Sequence, residues 1–143
     1  SMANLYNNEG YFSPTEYAAF TRIEKDERAA RIAANYRPLV YICSPYSGDT
    51  EHNTEMAKKY SRFALEQHCI PFAPHLLFPQ FMDDNDPQER ETAMFMNMVL
   101  LGRCEELWVF GENYSAGMQQ EIKKAKYKGM KIRYYTEEME VRA

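Results

Sequence analysis

A hydroxyl, a glycine and a carboxylate stand in order in Ser115, Gly117 and Glu121, within the stretch Ser115-Ala116-Gly117-Met118-Gln119-Gln120-Glu121. Ahead of it, Leu107-Trp108-Val109-Phe110 reads as an apolar strand closed by Gly111, which makes the stretch the mouth of a following helix. In an open α/β sheet, ligands bind at the carboxyl ends of strands, where helix N-termini aim free N–H groups at polar or anionic atoms. Ser115 and those amides suit a phosphate or a sugar hydroxyl; plain N-capping suits Ser115 as well, and the two uses are compatible. At 100° per residue Met118, Ile122 and Ala125 form an inward stripe, and Glu121 falls roughly 40° off Ala125, on its border. Taken alone, the stretch gives Glu121 an ordinary reading: a rim carboxylate, neither fully solvated nor fully buried, paired with Lys124 at i+3 for a few tenths of a kcal/mol.

A second segment changes that balance. Val40-Tyr41-Ile42-Cys43-Ser44-Pro45-Tyr46-Ser47-Gly48 reads as a first buried strand running into a Ser/Pro/Gly turn. Tyr41 and Tyr46 can approach a sugar or stack on a base, although a strand tyrosine commonly belongs to the core. Ser44, Ser47 and Gly48 supply small polar groups to the turn, and Asp49 and Asn53 are either ligand contacts or helix caps.

Together the two segments resemble the nucleoside 2-deoxyribosyltransferase superfamily, including the related 2′-deoxynucleoside 5′-phosphate N-hydrolases, over roughly residues 38 to 134. The resemblance implies that Glu121 is a nucleophile, Ser115 a phosphate- or sugar-contacting residue, Tyr41 the family's strand tyrosine and His75 a pocket histidine. It sets Glu105 at the position of an acidic residue preceding the later strand, where it would orient the base or supply its proton. Tyr41, Ser44, Tyr46, Ser47, Gly48, His75, Ser115, Gly117 and Met118 are then the expected substrate contacts. The chain departs from the family pattern at Glu105, where an Asp is usual, and at Gln119, where a second glycine is usual.

The implied chemistry is cleavage of the N-glycosidic bond of a nucleoside or its 5′-monophosphate, through a glycosyl ester on a carboxylate, as in retaining glycoside hydrolysis. Neither a metal nor an organic cofactor is expected. A site that water can enter favours hydrolysis over transfer to a second base. The rival reading, kept open by Glu105 and Gln119, is a module that binds or senses a nucleotide-derived small molecule without efficient catalysis.

The elements that must position these residues follow from pattern. Ser13-Pro14-Thr15-Glu16 has the form of a capping box and predicts a helix from about 14 to 35, with Tyr17, Phe20, Ile23 and Ala30 as its apolar positions. Asp49 or Thr50 caps a helix to about 67, with Ala57, Tyr60, Ala64 and Leu65 on one side. Ile70-Pro71-Phe72-Ala73-Pro74 reads as a short strand that its two prolines exclude from the sheet centre. The aromatic and acidic loop 75–86, with Phe78, Phe81, Asp83, Asp84 and Asp86, has the length of a functional lid. Asp86-Pro87-Gln88-Glu89 forms another capping box, opening a helix to about 102 that turns Met94, Met98 and Leu101 inward. A helix from 115 to 128, a turn at Gly129 and a strand 131–135 complete a β-α-β-α-β-α-β succession.

Such alternation predicts a doubly wound, flavodoxin- or Rossmann-like α/β domain: a parallel sheet of about four to five strands with helices on both faces. We expect that domain over 38–143, and residues 1–37 as an N-terminal helical extension packed on it, covering a sheet edge. At 143 residues one core needs no disulfide. The net charge of -4 opposes nucleic-acid binding, and the basic run Lys123, Lys124, Lys126, Lys128, Lys131, Arg133 reads as a solvated face. Cys43, Cys69 and Cys104 lack CxxC spacing and sit in apolar surroundings, as expected of core thiols in a reducing compartment. No apolar run reaches the ~20 residues of a membrane span. A cytoplasmic protein is the expectation from these features, and Ser1 ahead of Met2 reads as a tag remnant. A homo-oligomer, dimer or larger, is implied by the resemblance only.

Overall fold

The computed structural model describes residues 14–142, in two compact units divided after Tyr36. In the first, helix α1 runs Pro14–Asn35 with Glu16 in its first turn, over the span predicted from the capping-box pattern; the expected cap Ser13 lies outside the described residues.

The second unit is a four-stranded sheet with every pairing parallel, in the order β2-β1-β3-β4. Its strands are β1 (Leu39–Cys43), β2 (Ile70–Phe72), β3 (Glu106–Phe110) and β4 (Lys131–Tyr135), joined by helices α2 (Thr50–Glu66), α3 (Pro87–Leu101) and α4 (Ala116–Tyr127). Strand alternation sorts the core into two layers. Tyr41, Cys43, Leu107 and Val109 face α3 and α4, where Leu101, Met118, Ile122 and Ala125 meet them. Val40, Ile42, Trp108 and Phe110 face α2, through Tyr60 and Ala64. Leu65 does not join Ala57, Tyr60 and Ala64: it is 40% exposed, because the next residue after Ala64 turns 100° away from the sheet.

Each helix of this unit is started by a side chain. Asp49 accepts from the His52 N–H at 3.1 Å, Asp86 from Gln88 at 3.0 Å and Ser115 from Met118 at 3.2 Å. The box expected at Asp86 is half made. Glu89 reaches past the cap to the Asp83 N–H at 3.3 Å, since the Asp86 N–H is already taken by the Asp83 carbonyl. β2 lies at the sheet edge, as its Pro71 requires, and is shorter than expected because Pro74 opens a 3-10 turn. The loop 75–86 is therefore ordered by two such turns, at Pro74–Leu76 and Phe78–Gln80. Gly111, at φ +91, makes the sharp exit from β3. Cys43, Cys69 and Cys104 are buried free thiols, and most of the basic run from Lys123 to Arg133 is exposed.

Candidate active site

The chain leaves β1 toward β2 on one side and returns to β3 on the other, so the loops after β1 and β3 diverge at the switch point of the sheet. A cleft opens there. Ser44, Tyr46 and Ser47 line it from the loop after β1, His75 and Phe78 from the 3-10 turns, and Asn97 from α3. Ser115, Gly117, Met118 and Glu121 line it from the start of α4. Gly117 allows the close approach of α4 to α3: a Cβ there would stand 3.1 Å from the Met94 methyl carbon.

Glu121 is at the floor and is only 2% exposed. It is no rim carboxylate and makes no ion pair with Lys124 among the described residues, because the inward face of α4 carries it against β1. There the Tyr41 hydroxyl donates to Glu121 Oε2. Burial pushes the Glu121 carboxyl up to about 7, while hydrogen bonds from Tyr41 and Cys43 act the other way. Burial, followed by the adjacent carboxylate, raises the Tyr41 phenol and the Cys43 thiol, so both keep their protons and remain donors. The site thus sets a carboxyl whose ionisation burial opposes beside a phenol that donates to it.

His75 Nε2 lies 2.9 Å from the Ser44 carbonyl, which can only accept, so Nε2 carries the hydrogen. Burial holds the ring below its ordinary value, and it stacks on Tyr46 at 5.0 Å. Asn53 fixes the same turn by donating to the Tyr46 carbonyl at 2.9 Å and the Ser47 carbonyl at 3.2 Å; it and Asp49 serve as structure. On the other side, Arg142 donates to the Gly111 carbonyl at 2.8 Å and the Tyr114 hydroxyl at 2.9 Å, bracing the loop that leads into Ser115.

Three expected site residues stand elsewhere. Glu105 precedes β3, at the amino ends of the strands, where its Oε2 accepts from the Leu39 N–H at 3.0 Å. In a parallel sheet that edge is opposite the cleft, and Glu105 does not line it. Its neighbour Glu106 bonds Arg133 at 2.8 Å and Trp108 at 3.1 Å. Tyr41 is fully buried behind Glu121 and does not line the cleft. Gly48 lines an adjoining outer recess with Thr50 and Arg90.

Two residues escaped the sequence reading. Asn97 is buried and lines the cleft from α3; its signal was a lone polar residue in the apolar run 93–101. Arg90, a cation in the cleft lining, donates to Ser47 Oγ at 3.0 Å, a contact across 43 positions that no local pattern encodes.

The fold is shared with solved 2-deoxyribosyltransferases. One, from the psychrotolerant bacterium Bacillus psychrosaccharolyticus, superposes with a TM-score of 0.57 at 13% identity, covering 68% of this chain and 72% of that one. Another, from Leishmania mexicana, gives 0.51 at 12% identity, covering 69% and 64%. The chain belongs to the family described as Domain of unknown function (DUF7768), whose model matches residues 38–135. No curated protein matches the sequence. No helix among the described residues is long and apolar enough to cross a membrane, and no His/Cys/Asp/Glu group among them could hold a metal ion.

Proposed function

We propose that this protein cleaves the N-glycosidic bond of a nucleoside or nucleoside 5′-monophosphate, with Glu121 as nucleophile. The observation that carries the reading is a buried carboxylate, hydrogen-bonded by a buried tyrosine, at the floor of a cleft at the switch point of a 2-deoxyribosyltransferase-like fold. The ionised Glu121 carboxylate bonds to the anomeric carbon as the carbon–nitrogen bond breaks, its electron pair leaving with the base. Water then attacks the glycosyl ester, restoring the carboxylate. Overall one water is consumed, its hydroxyl on the sugar and its hydrogen on the base.

The Tyr41 phenol keeps Glu121 oriented and opposes its protonation, while Ser115 and the first amides of α4 receive the 5′ end of the sugar. The half-exposed Tyr46, stacked on His75, offers a ring face at the mouth. Glu105, at the opposite edge of the sheet, takes no part. Hydrolysis is favoured over transfer because the cleft carries Asp83, Asp84 and Glu89 among its walls, groups that keep water close.

The test supplies 2′-deoxynucleosides and their 5′-monophosphates together with an excess of a different free base, followed by chromatography. Free base and free sugar or sugar phosphate are expected. Exchanged nucleoside as the main product would assign a transferase, and tight binding without any base release would assign a binding module.

A further inference from the structure

Asn97 is 6% exposed and its Oδ1 is occluded without a hydrogen-bond partner; Ser44 Oγ, 1% exposed, is in the same condition. Both line the cleft that holds Glu121, one from α3 and one from the carboxyl end of β1. A buried polar atom left unpaired opposes folding, so such atoms are rare and call for a partner from outside the chain. A carbonyl oxygen can only accept, which makes the missing partner of Asn97 an N–H or O–H donor. Three donors around the cleft have partners within the chain: the Tyr41 hydroxyl bonds Glu121, His75 Nε2 the Ser44 carbonyl, and one Arg90 N–H Ser47 Oγ.

The charge around the cleft narrows the ligand further. Asp83, Asp84 and Glu89 stand among its walls together with Glu121, and Arg90 is the cation that lines it with them. A phosphate dianion entering this field is repelled, whereas an uncharged ligand is not. We propose that Asn97 is a specificity-determining residue of the site proposed above: its carboxamide, with Ser44 Oγ, takes a hydrogen bond from an N–H or O–H donor of an unphosphorylated nucleoside, and the acidic walls disfavour the 5′-monophosphate.

Asn97→Leu and Asn97→Ala test this, the second variant removing atoms only, in case leucine clashes. Affinities for thymidine, 2′-deoxyadenosine and their 5′-monophosphates are measured by calorimetry in a Glu121→Gln background, which prevents turnover. Thermal unfolding is followed without ligand. Replacing an unpaired carbonyl by apolar groups raises the Tm of Asn97→Leu by roughly 2 to 4 °C, while nucleoside affinity falls about tenfold or more in both variants. Stability rising as binding falls is a split that a purely structural asparagine would not give. The nucleosides bind at least as tightly as their monophosphates.

Nucleoside affinity within about twofold of the parent in both variants, or monophosphates bound about tenfold more tightly than nucleosides, overturns the assignment. Base release by the unmodified chain with affinity indifferent to position 97 overturns the assignment and leaves the proposed reaction standing. The reverse result, an affinity that depends on Asn97 without base release, overturns the reaction and supports the assignment. Absence of binding by all four probes overturns both.

Discussion

Replacing Glu121 by Gln separates chemistry from structure, because the amide keeps the shape and an acceptor oxygen for the Tyr41 hydroxyl while losing the charge. The stability change has a sign that depends on pH. Burial raises the Glu121 pKa from an ordinary 4.5 to about 7, so the folded state holds a proton that the unfolded chain gives up. The stability linked to that proton is fully present below 4.5 and is lost as pH rises through about 7. At full ionisation the loss amounts to roughly 3 kcal/mol, at 1.36 kcal/mol per pH unit between the two values. The substituted amide does not ionise and escapes it. In urea unfolding the variant should therefore match the parent within about 1 kcal/mol near pH 4.5 and exceed it by up to about 3 kcal/mol near pH 8.5. Base release, followed by chromatography, should disappear at both pH values. A destabilisation of equal size at both would make Glu121 a structural residue. Base release near the parent rate would refute the nucleophile outright.

Tyr41→Phe removes the largest influence holding the Glu121 pKa down, so the acidic limb of kcat/KM, expected near 7 in the parent, should move to higher pH; an unmoved limb would dissociate Tyr41 from the ionisation of Glu121. Ser115→Ala loses the cap that accepts from Met118 N–H and should cost about 1 kcal/mol in thermal or urea unfolding, with α4 otherwise intact; no change would mean that the cap is not formed in solution. Glu105→Gln should leave base release within about twofold of the parent, since its carboxylate meets the Leu39 N–H at the far edge of the sheet; a loss beyond tenfold would return Glu105 to the reaction.

The fold was legible where the signal is local. Asp49, Asp86 and Ser115 announce helix starts because a short acceptor side chain satisfies a backbone N–H within the next three residues, and all three do so. Pro71 and Pro74 mark β2 as an edge strand by what they cannot donate. The site was legible only in its outline. Ser44, Tyr46 and Ser115 follow the strands whose carboxyl ends meet, so naming the strands places the cleft. Glu105 was misplaced because its likeness to a motif said nothing of which edge of the sheet it occupies. Strand direction does: a residue ahead of a parallel strand lies at the amino edge.

Glu121 stood on the border of its stripe, and no helical angle shows that Tyr41, 80 positions earlier, reaches its carboxylate. The burial of its charge, the unpaired Asn97 oxygen and the unpaired Ser44 hydroxyl are three features that folding alone disfavours, gathered around one cleft. An apolar side chain at any one of these positions would relieve the chain of a buried polar group. A ligand with a donor for Asn97, a hydrogen-bond partner for Ser44 and a reacting centre for Glu121 gives all three a purpose, and that convergence, more than the spacing of Ser115, Gly117 and Glu121, argues that the cleft is where this protein acts.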